Sequence, residues 1–415
     1  MIARGIGSVH AISAGMLQVC LPGAAIGDGV LVRSRDVTVQ GTVSAIHSAL
    51  VTITPHGAIA GIMPGDSVQT DPAAFLLVLG TGVLGRAFDA RGTPFDQGPP
   101  LRGRRRTTRF TNPAPEQRAP VTTPLWSGIR AVDGLLTIGR GARVGLFGAP
   151  GSGKSILLRT LAEGSRSDAV VVGLIGERGR EAAEWKTRCN PRTTIVAAPS
   201  DRAAAERMQA AKVAVAQANA LRSQGLHVLL IIDSLARFGG AVRELAISNG
   251  ELAGRGGYPP SVFVEMAKLL EAGGSLCGGS LTIIATVLSD GADEREPLSD
   301  AARSLLDGHI MLSSSLSNAG HYPAIDILAS RSRTMNDVIS AEHADMAAHV
   351  RAALAHLHST VDLRSVGMES RDPSAVLVRA AEPAILAFLQ QGQVPTPACE
   401  TLSELRKLVE ILQGG

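Results

Sequence analysis

Residues 143–164 read RVGLFGAPGSGKSILLRTLAEG, and this stretch decides the fold. RVGLF is strand-like and SILLRTLAEG has helical spacing. Between them Gly148-Ala149-Pro150-Gly151-Ser152-Gly153-Lys154-Ser155 satisfies GxxxxGK[ST] at every fixed position. Glycines let successive backbone N–H groups turn inward around phosphate oxygens, and the N-terminus of the following helix adds positive potential. Lys154 can then reach the outer phosphates and Ser155 can supply a magnesium ligand. Ile156 completes the nucleotide-binding set. A chance glycine-rich turn would need neither the strand before it nor the helix after it.

Working outward, residues 121–342 alternate apolar runs (ARVGLFG, DAVVVGLIG, TTIVAAPS, HVLLIIDS, SLTIIATVL) with amphipathic helical segments. A parallel sheet with crossover helices requires this pattern, so the expected core is an α/β P-loop domain of the RecA-like type. Ahead of it, residues 1–72 alternate short β-branched runs with Gly and Pro turns, which predicts a small N-terminal β-barrel of five or six strands. Residues 73–120 change texture: Gly92, Pro94, Pro99, Pro100, Pro113, Pro115 and Pro120 flank the basic run RGRRRTTR (Arg102 to Arg109), and a connector crossing the surface is expected. The run could bind phosphate backbones, but no aromatic is interleaved before Phe110, which favours a solvated loop. From 343 to 415 the β runs stop and helical spacing predicts a C-terminal helical domain.

Phosphoryl transfer also needs a carboxylate that holds magnesium and a group that polarises the attacking water. HVLLIIDSLARF offers Asp233 after five apolar residues; the plainer alternative is an N-cap for the next helix. Glu177, in GERGRE directly after AVVVGLI, can face water at a strand tip while Arg178 offsets charge there. A solvated charged loop is the competing reading of GERGRE.

Composition narrows the remaining classes. In 415 residues, 45% are apolar and 19% charged, and the net charge of +3 creates no global field that calls for nucleic acid or an anionic membrane. Two or three domains are expected at this length. Four cysteines, Cys20, Cys189, Cys277 and Cys399, lie far apart without CxxC spacing and are expected to be reduced core residues. The first twenty residues do not form a secretory signal, and no stretch of eighteen apolar residues occurs, so a cytoplasmic protein is expected.

These elements, in order, resemble the ATPases of type III secretion systems, flagellar and injectisome, which are similar in turn to the catalytic subunits of rotary ATP synthases. The resemblance runs from about Pro113 to Gln391 and includes APEQRAPVTTPLWSGIRAVDGLLTIGRGARVGLFG, GERGRE, SDRAAAERM, VLLIIDSLARF, GYPPSVF, LLDGHIMLS, GHYPAIDILAS and AEPAILAFLQQ. It implies ATP hydrolysis with Mg2+, with Glu177 as the catalytic glutamate, Arg178 contacting phosphate and Asp233 at the magnesium site. Tyr322, in GHYPAID, matches the tyrosine that stacks on adenine; a core tyrosine beside a Pro turn is the alternative. Arg333, in SRSRTM, matches the arginine finger that reaches a neighbour's nucleotide, with Arg331 as the competing assignment. A site shared between subunits implies a homo-oligomer, by family likeness a hexamer.

By the same resemblance the partners are a central coiled-coil stalk protein, a peripheral regulatory dimer and chaperone–substrate complexes at the C-terminal helices. Family members commonly carry an extra helical segment ahead of the barrel that aids membrane docking. Here the barrel texture begins almost at Met1, so membrane contact, at the cytoplasmic face of the inner membrane, is expected to be peripheral at most. Two other functions fit the same core: the catalytic subunit of a rotary ATP synthase and a ring-shaped RNA translocase. GERGRE, GYPPSVF and DGHIMLS are closer to the secretion branch. Residues 1–72 contain no Phe, Tyr or Trp on which bases could stack, so no nucleic acid is expected as a partner.

Overall fold

The computed structural model describes residues 5–13, 15–187, 190–288, 296–360 and 373–414. The alternating N-terminal runs close into a barrel because their odd and even residues face opposite sides. Its strands are Ile6–Ser13, Met16–Cys20, Gly29–Arg33, Thr38–His47, Leu50–Pro55 and Ser67–Thr70. The first pairs with both the second and the last, which removes the open edge. Val9, Leu17, Val19, Val30, Val32, Val43, Ile53 and Val68 fill the interior at 2% exposure or less.

The five apolar runs of the core become strands Arg143–Gly148, Ala169–Ile175, Thr193–Ala198, His227–Asp233 and Gly279–Leu288, all mutually parallel. They are buried on both faces, as continuous apolar runs in a parallel sheet must be. Gly308–Leu312 joins beside Arg143–Gly148, and Ile325–Ser332 pairs antiparallel at that edge. At the opposite edge lies Ala87–Asp89, so residues within the 73–120 stretch contribute a strand to the core sheet. The basic run is also more ordered than a solvated loop: Arg105–Thr107 pairs with Leu76–Val78, while Arg102, Arg104 and Arg105 stay exposed.

Helices Lys154–Gly164, Ala204–Arg222, Leu235–Ser248 and Pro260–Leu270 cover the sheet. Leu235–Ser248 begins beside the strand end at Asp233, with Ser234 as its N-cap, and ends at Asn249, whose Oδ1 accepts from Ser44 Oγ of the barrel at 3.1 Å. The C-terminal pattern forms helices Ala341–Ser359, Pro373–Ala380, Glu382–Leu389 and Ala398–Leu412.

The cysteines differ from expectation. Cys20, Cys277 and Cys399 are exposed rather than in the core. Cys20 ends its strand on the outward side of the alternation, Cys277 sits between strands Gly274–Leu276 and Gly279–Leu288, and Cys399 lies on the outer face of its helix. Cys189 lies outside the described residues.

Candidate functional site

The carboxyl ends of adjacent parallel strands converge on one edge of the sheet. Gly148 lies in register with Leu288, and Asp233 in register with Leu174. Loop amides and helix N-termini point out of such an edge, which is where an open α/β sheet binds ligands.

The turn from strand to helix is made by Gly151 and Gly153, at φ 83° and 88°. Side chains rarely adopt this left-handed region, so the motif's glycines are a backbone requirement. Lys154 Nζ folds back over the loop and donates to the carbonyls of Gly148 and Ala149 at 2.6 and 2.7 Å. Ser152 is buried and donates from Oγ to Ala149 O at 2.8 Å. Pro150 lies in the turn, and Ser155 is half-buried in the first turn of the helix.

Asp233 is buried, and its Oδ1 accepts from Thr286 Oγ1 at 2.6 Å. Ser234, not Asp233, caps the following helix, accepting from Arg237 N at 3.3 Å, so the carboxylate is left facing the phosphate loop's edge of the sheet. Burial pushes the Asp233 carboxyl above its ordinary range, opposed by the Thr286 hydrogen bond; Glu181 pushes in the same direction as burial, and Lys154 and Arg237 oppose it. Glu177 lies three residues beyond Leu174, and its Oε1 is 3.0 Å from Arg237 Nε. Burial raises the Glu177 carboxyl to about 7, the charge of Asp233 adds to this, and Arg237 opposes it. A carboxyl poised near neutrality is suited to taking a proton from water. Arg178 is exposed at the start of helix Gly179–Thr187.

A cavity of about 220 Å³ opens beside the phosphate loop, lined by Gly153, Ile156, Leu157, Leu312, Tyr322 and Gln391 among others. The Tyr322 ring abuts the loop: a Cβ on Gly153 would come within 3.5 Å of it. Its hydroxyl lies 3.0 Å from Ser317 Oγ. A mostly apolar cavity next to a phosphate cradle has the lining that suits an aromatic base. A larger cleft of about 820 Å³ lies between barrel and core, but none of the candidate residues line it.

The arginines at the other end of the strands stand apart. Arg331 pairs with His309, and Gly308 pairs with Val144, so both mark the end of the P-loop strand away from Gly148. Arg333 lies just beyond the strand, exposed, with its backbone N–H donating to Asp307 O at 2.9 Å. Lys154, Ser155, Glu177, Asp233 and Tyr322 therefore gather at one sheet end, and Arg331 and Arg333 at the other. Sequence reasoning missed Arg237 and Thr286. Arg237 was findable, since it stands four residues after Asp233 and one turn into the helix; Thr286 depends on strand register.

The strand order and the loop it carries define the class: a RecA-like P-loop nucleotide-binding ATPase, here with a barrel before the core and helices after it. Residues 128–332 match the nucleotide-binding domain of the ATP synthase alpha/beta family. The chain is 41% identical over 391 residues to the flagellum-specific ATP synthase of Pseudomonas aeruginosa, covering 91% of this chain and 86% of that one. It is 39% identical to the SPI-2 type 3 secretion system ATPase of Salmonella typhimurium, covering 98% and 94%. Among solved structures, the assembled ATPase EscN from the enteropathogenic E. coli type III secretion system superposes with a TM-score of 0.91 at 35% identity, covering 97% of this chain and all of that one. The chain belongs to the family of flagellar and type III secretion ATPases. No helix among the described residues is long and apolar enough to cross a membrane.

Proposed function

We propose that the chain hydrolyses MgATP as a ring of identical subunits, the P-loop of one subunit completed by Arg333 of its neighbour, and so energises substrate release and unfolding for type III protein export. The observation that carries this reading is the separation of Arg333 from a site that otherwise holds a phosphate cradle, a carboxyl near neutrality and a base-sized slot. EscN, described in its assembled form and in complex with its central stalk EscO, supports an oligomer with a central stalk partner, which family likeness makes a coiled-coil protein. By the same likeness, a peripheral regulatory dimer and chaperone–substrate complexes are the further partners. The workplace is the cytoplasm, with the inner membrane touched at most peripherally.

Magnesium fits the donor set. Ser155 and Asp233 offer a hydroxyl and a carboxylate, hard oxygen donors beside the phosphate loop, and P-loop enzymes leave the remaining positions to phosphate and water. When bound, the ion would neutralise charge on the outer phosphates. Lys154 holds those phosphates in the ground state, Glu177 takes the proton of the attacking water, and Arg178 offsets charge at the strand tip. Tyr322 packs on the adenine.

Specific ATPase activity tests this reading. It should require Mg2+ and rise with protein concentration until rings are complete. A dilute monomer, shown to be monomeric by light scattering, that is as active per subunit as the assembled protein would refute the shared site.

A further inference from the structure

One wall of the cavity beside Tyr322 is supplied by the segment that joins the last two helices, and the Arg130 guanidinium is among the groups that hold it. Gln391, Gly392 and Gln393 line the cavity and belong to the segment between helices Glu382–Leu389 and Ala398–Leu412. Gln391 Oε1 accepts from Arg130 N at 2.8 Å, its Nε2 donates to Gly128 O and Val394 O at 2.8 Å each, and its backbone N–H donates to Tyr322 O at 2.9 Å. The Arg130 side chain, 18% exposed, donates from Nη1 to Glu404 Oε2 at 2.9 Å and from Nη2 to the carbonyls of Ala387, at 3.1 Å, and Gln390. Those two carbonyls end helix Glu382–Leu389, where a cation is favoured by the helix dipole. The approach is close: a Cβ on Gly128 would meet Pro395 at 2.8 Å.

We propose that Arg130 is a positioning residue for the nucleotide. It latches the 390–394 segment against the cavity, so that affinity for the base depends on docking of the C-terminal helices while affinity for the phosphates does not. This rests on reading the cavity beside Tyr322 as the base site. None of the Arg130 hydrogen bonds reaches the phosphate loop: the side chain ties Gln390 at the start of the segment to the two flanking helices through Ala387 and Glu404, and the backbone N–H holds Gln391 itself.

The test separates base from phosphates. KM and kcat for MgATP, and the inhibition constant of magnesium tripolyphosphate against ATP hydrolysis, are measured for the parent, Arg130→Ala, Arg130→Lys, Gln391→Ala and Tyr322→Ala. The expectation for Arg130→Ala is a KM raised about tenfold with kcat within about twofold and tripolyphosphate inhibition unchanged, the signature of lost ground-state binding. Arg130→Lys, which keeps the cation beside Glu404 but lacks the fork for two carbonyls, should fall between. If Arg130→Ala does not fold, Arg130→Lys and Gln391→Ala carry the same comparison. Equal loss of ATP and tripolyphosphate binding, or an unchanged KM in every Arg130 and Gln391 variant while Tyr322→Ala weakens ATP, would overturn the latch and leave the base site standing. An unchanged ATP affinity in Tyr322→Ala would instead remove the base site itself, and the latch with it.

Discussion

Two inactive variants should make an active ring. In Arg333→Ala the P-loop is intact and the donated arginine is missing; in Lys154→Ala the reverse holds. From the strand register, Ser332 lies two strands across and about four residues along from Gly148, roughly 10 Å by 13 Å, or about 16 Å in all. An extended arginine side chain reaches about 7 Å from its Cα, so Arg333 cannot serve the phosphates held by its own subunit. An arginine supplied in trans is worth about 10³ to 10⁵ in rate in other P-loop enzymes, so each variant alone should be nearly inert. Mixed at equal amounts and reassembled, half the P-loop positions and half the donor positions are intact. Random placement around a head-to-tail ring then gives a competent interface at about one position in four. The expected specific activity is about a quarter of the parent if interfaces act independently. Steady-state phosphate release before and after subunit exchange reads this out, with light scattering to show that rings form. No recovery in rings proven to be mixed would show that Arg333 does not act across the interface, and Arg331→Ala would then be carried through the same exchange.

Four further outcomes rest on buried carboxyls, three at the site and one outside it. With the Glu177 carboxyl raised to about 7 by burial and by Asp233, its base form gains as pH rises, so kcat/KM should climb through pH 7 and level off above it. Glu177→Gln should bind ATP and lose both the step and the pH dependence, and turnover at the parental rate would remove Glu177 from catalysis. Replacing Arg237 by Met should move the midpoint of that climb upward by about half to one pH unit, because a half-exposed cation 3.0 Å from Glu177 favours its ionised form; a downward move would contradict the pairing. Asp133, buried and accepting from Ser127 N, Ser127 Oγ and Gly128 N, is held by burial at about 6. The folded chain therefore binds more protons than the unfolded chain between its ordinary value and 6, so its contribution to stability falls as pH rises through that window. Thermal denaturation should show a shallower loss between pH 4 and 6 in Asp133→Asn than in the parent.

Much of this was legible because the decisive signals are local. Continuous apolar runs give parallel strands, alternation gives the barrel, and the Gly-Lys-Ser turn marks one sheet end without any tertiary knowledge. Glu177 and Asp233 were readable because each directly follows or ends such a run. The cysteines were misread because residue type predicts burial only on average, whereas their exposure follows from the face of a strand, a turn and a helix. Thr286 and Gln391 could not be read at all: one depends on which strands are neighbours, the other on a segment some 240 residues beyond the P-loop folding back onto it. The edge strand Ala87–Asp89 sits among Pro and Gly residues that mask it as connector.

Helix Leu235–Ser248 has one more consequence. Its first turn carries Arg237, in contact with Glu177, and its far end touches the barrel through Asn249 and Ser44. Fourteen residues make a rod about 21 Å long. Pivoted at the first turn by about 5°, such a rod swings its tip by nearly 2 Å, more than half the length of the hydrogen bond at that tip. A tilt too small to notice at the carboxylate would thus be magnified into a sideways stroke at the barrel wall, by leverage alone.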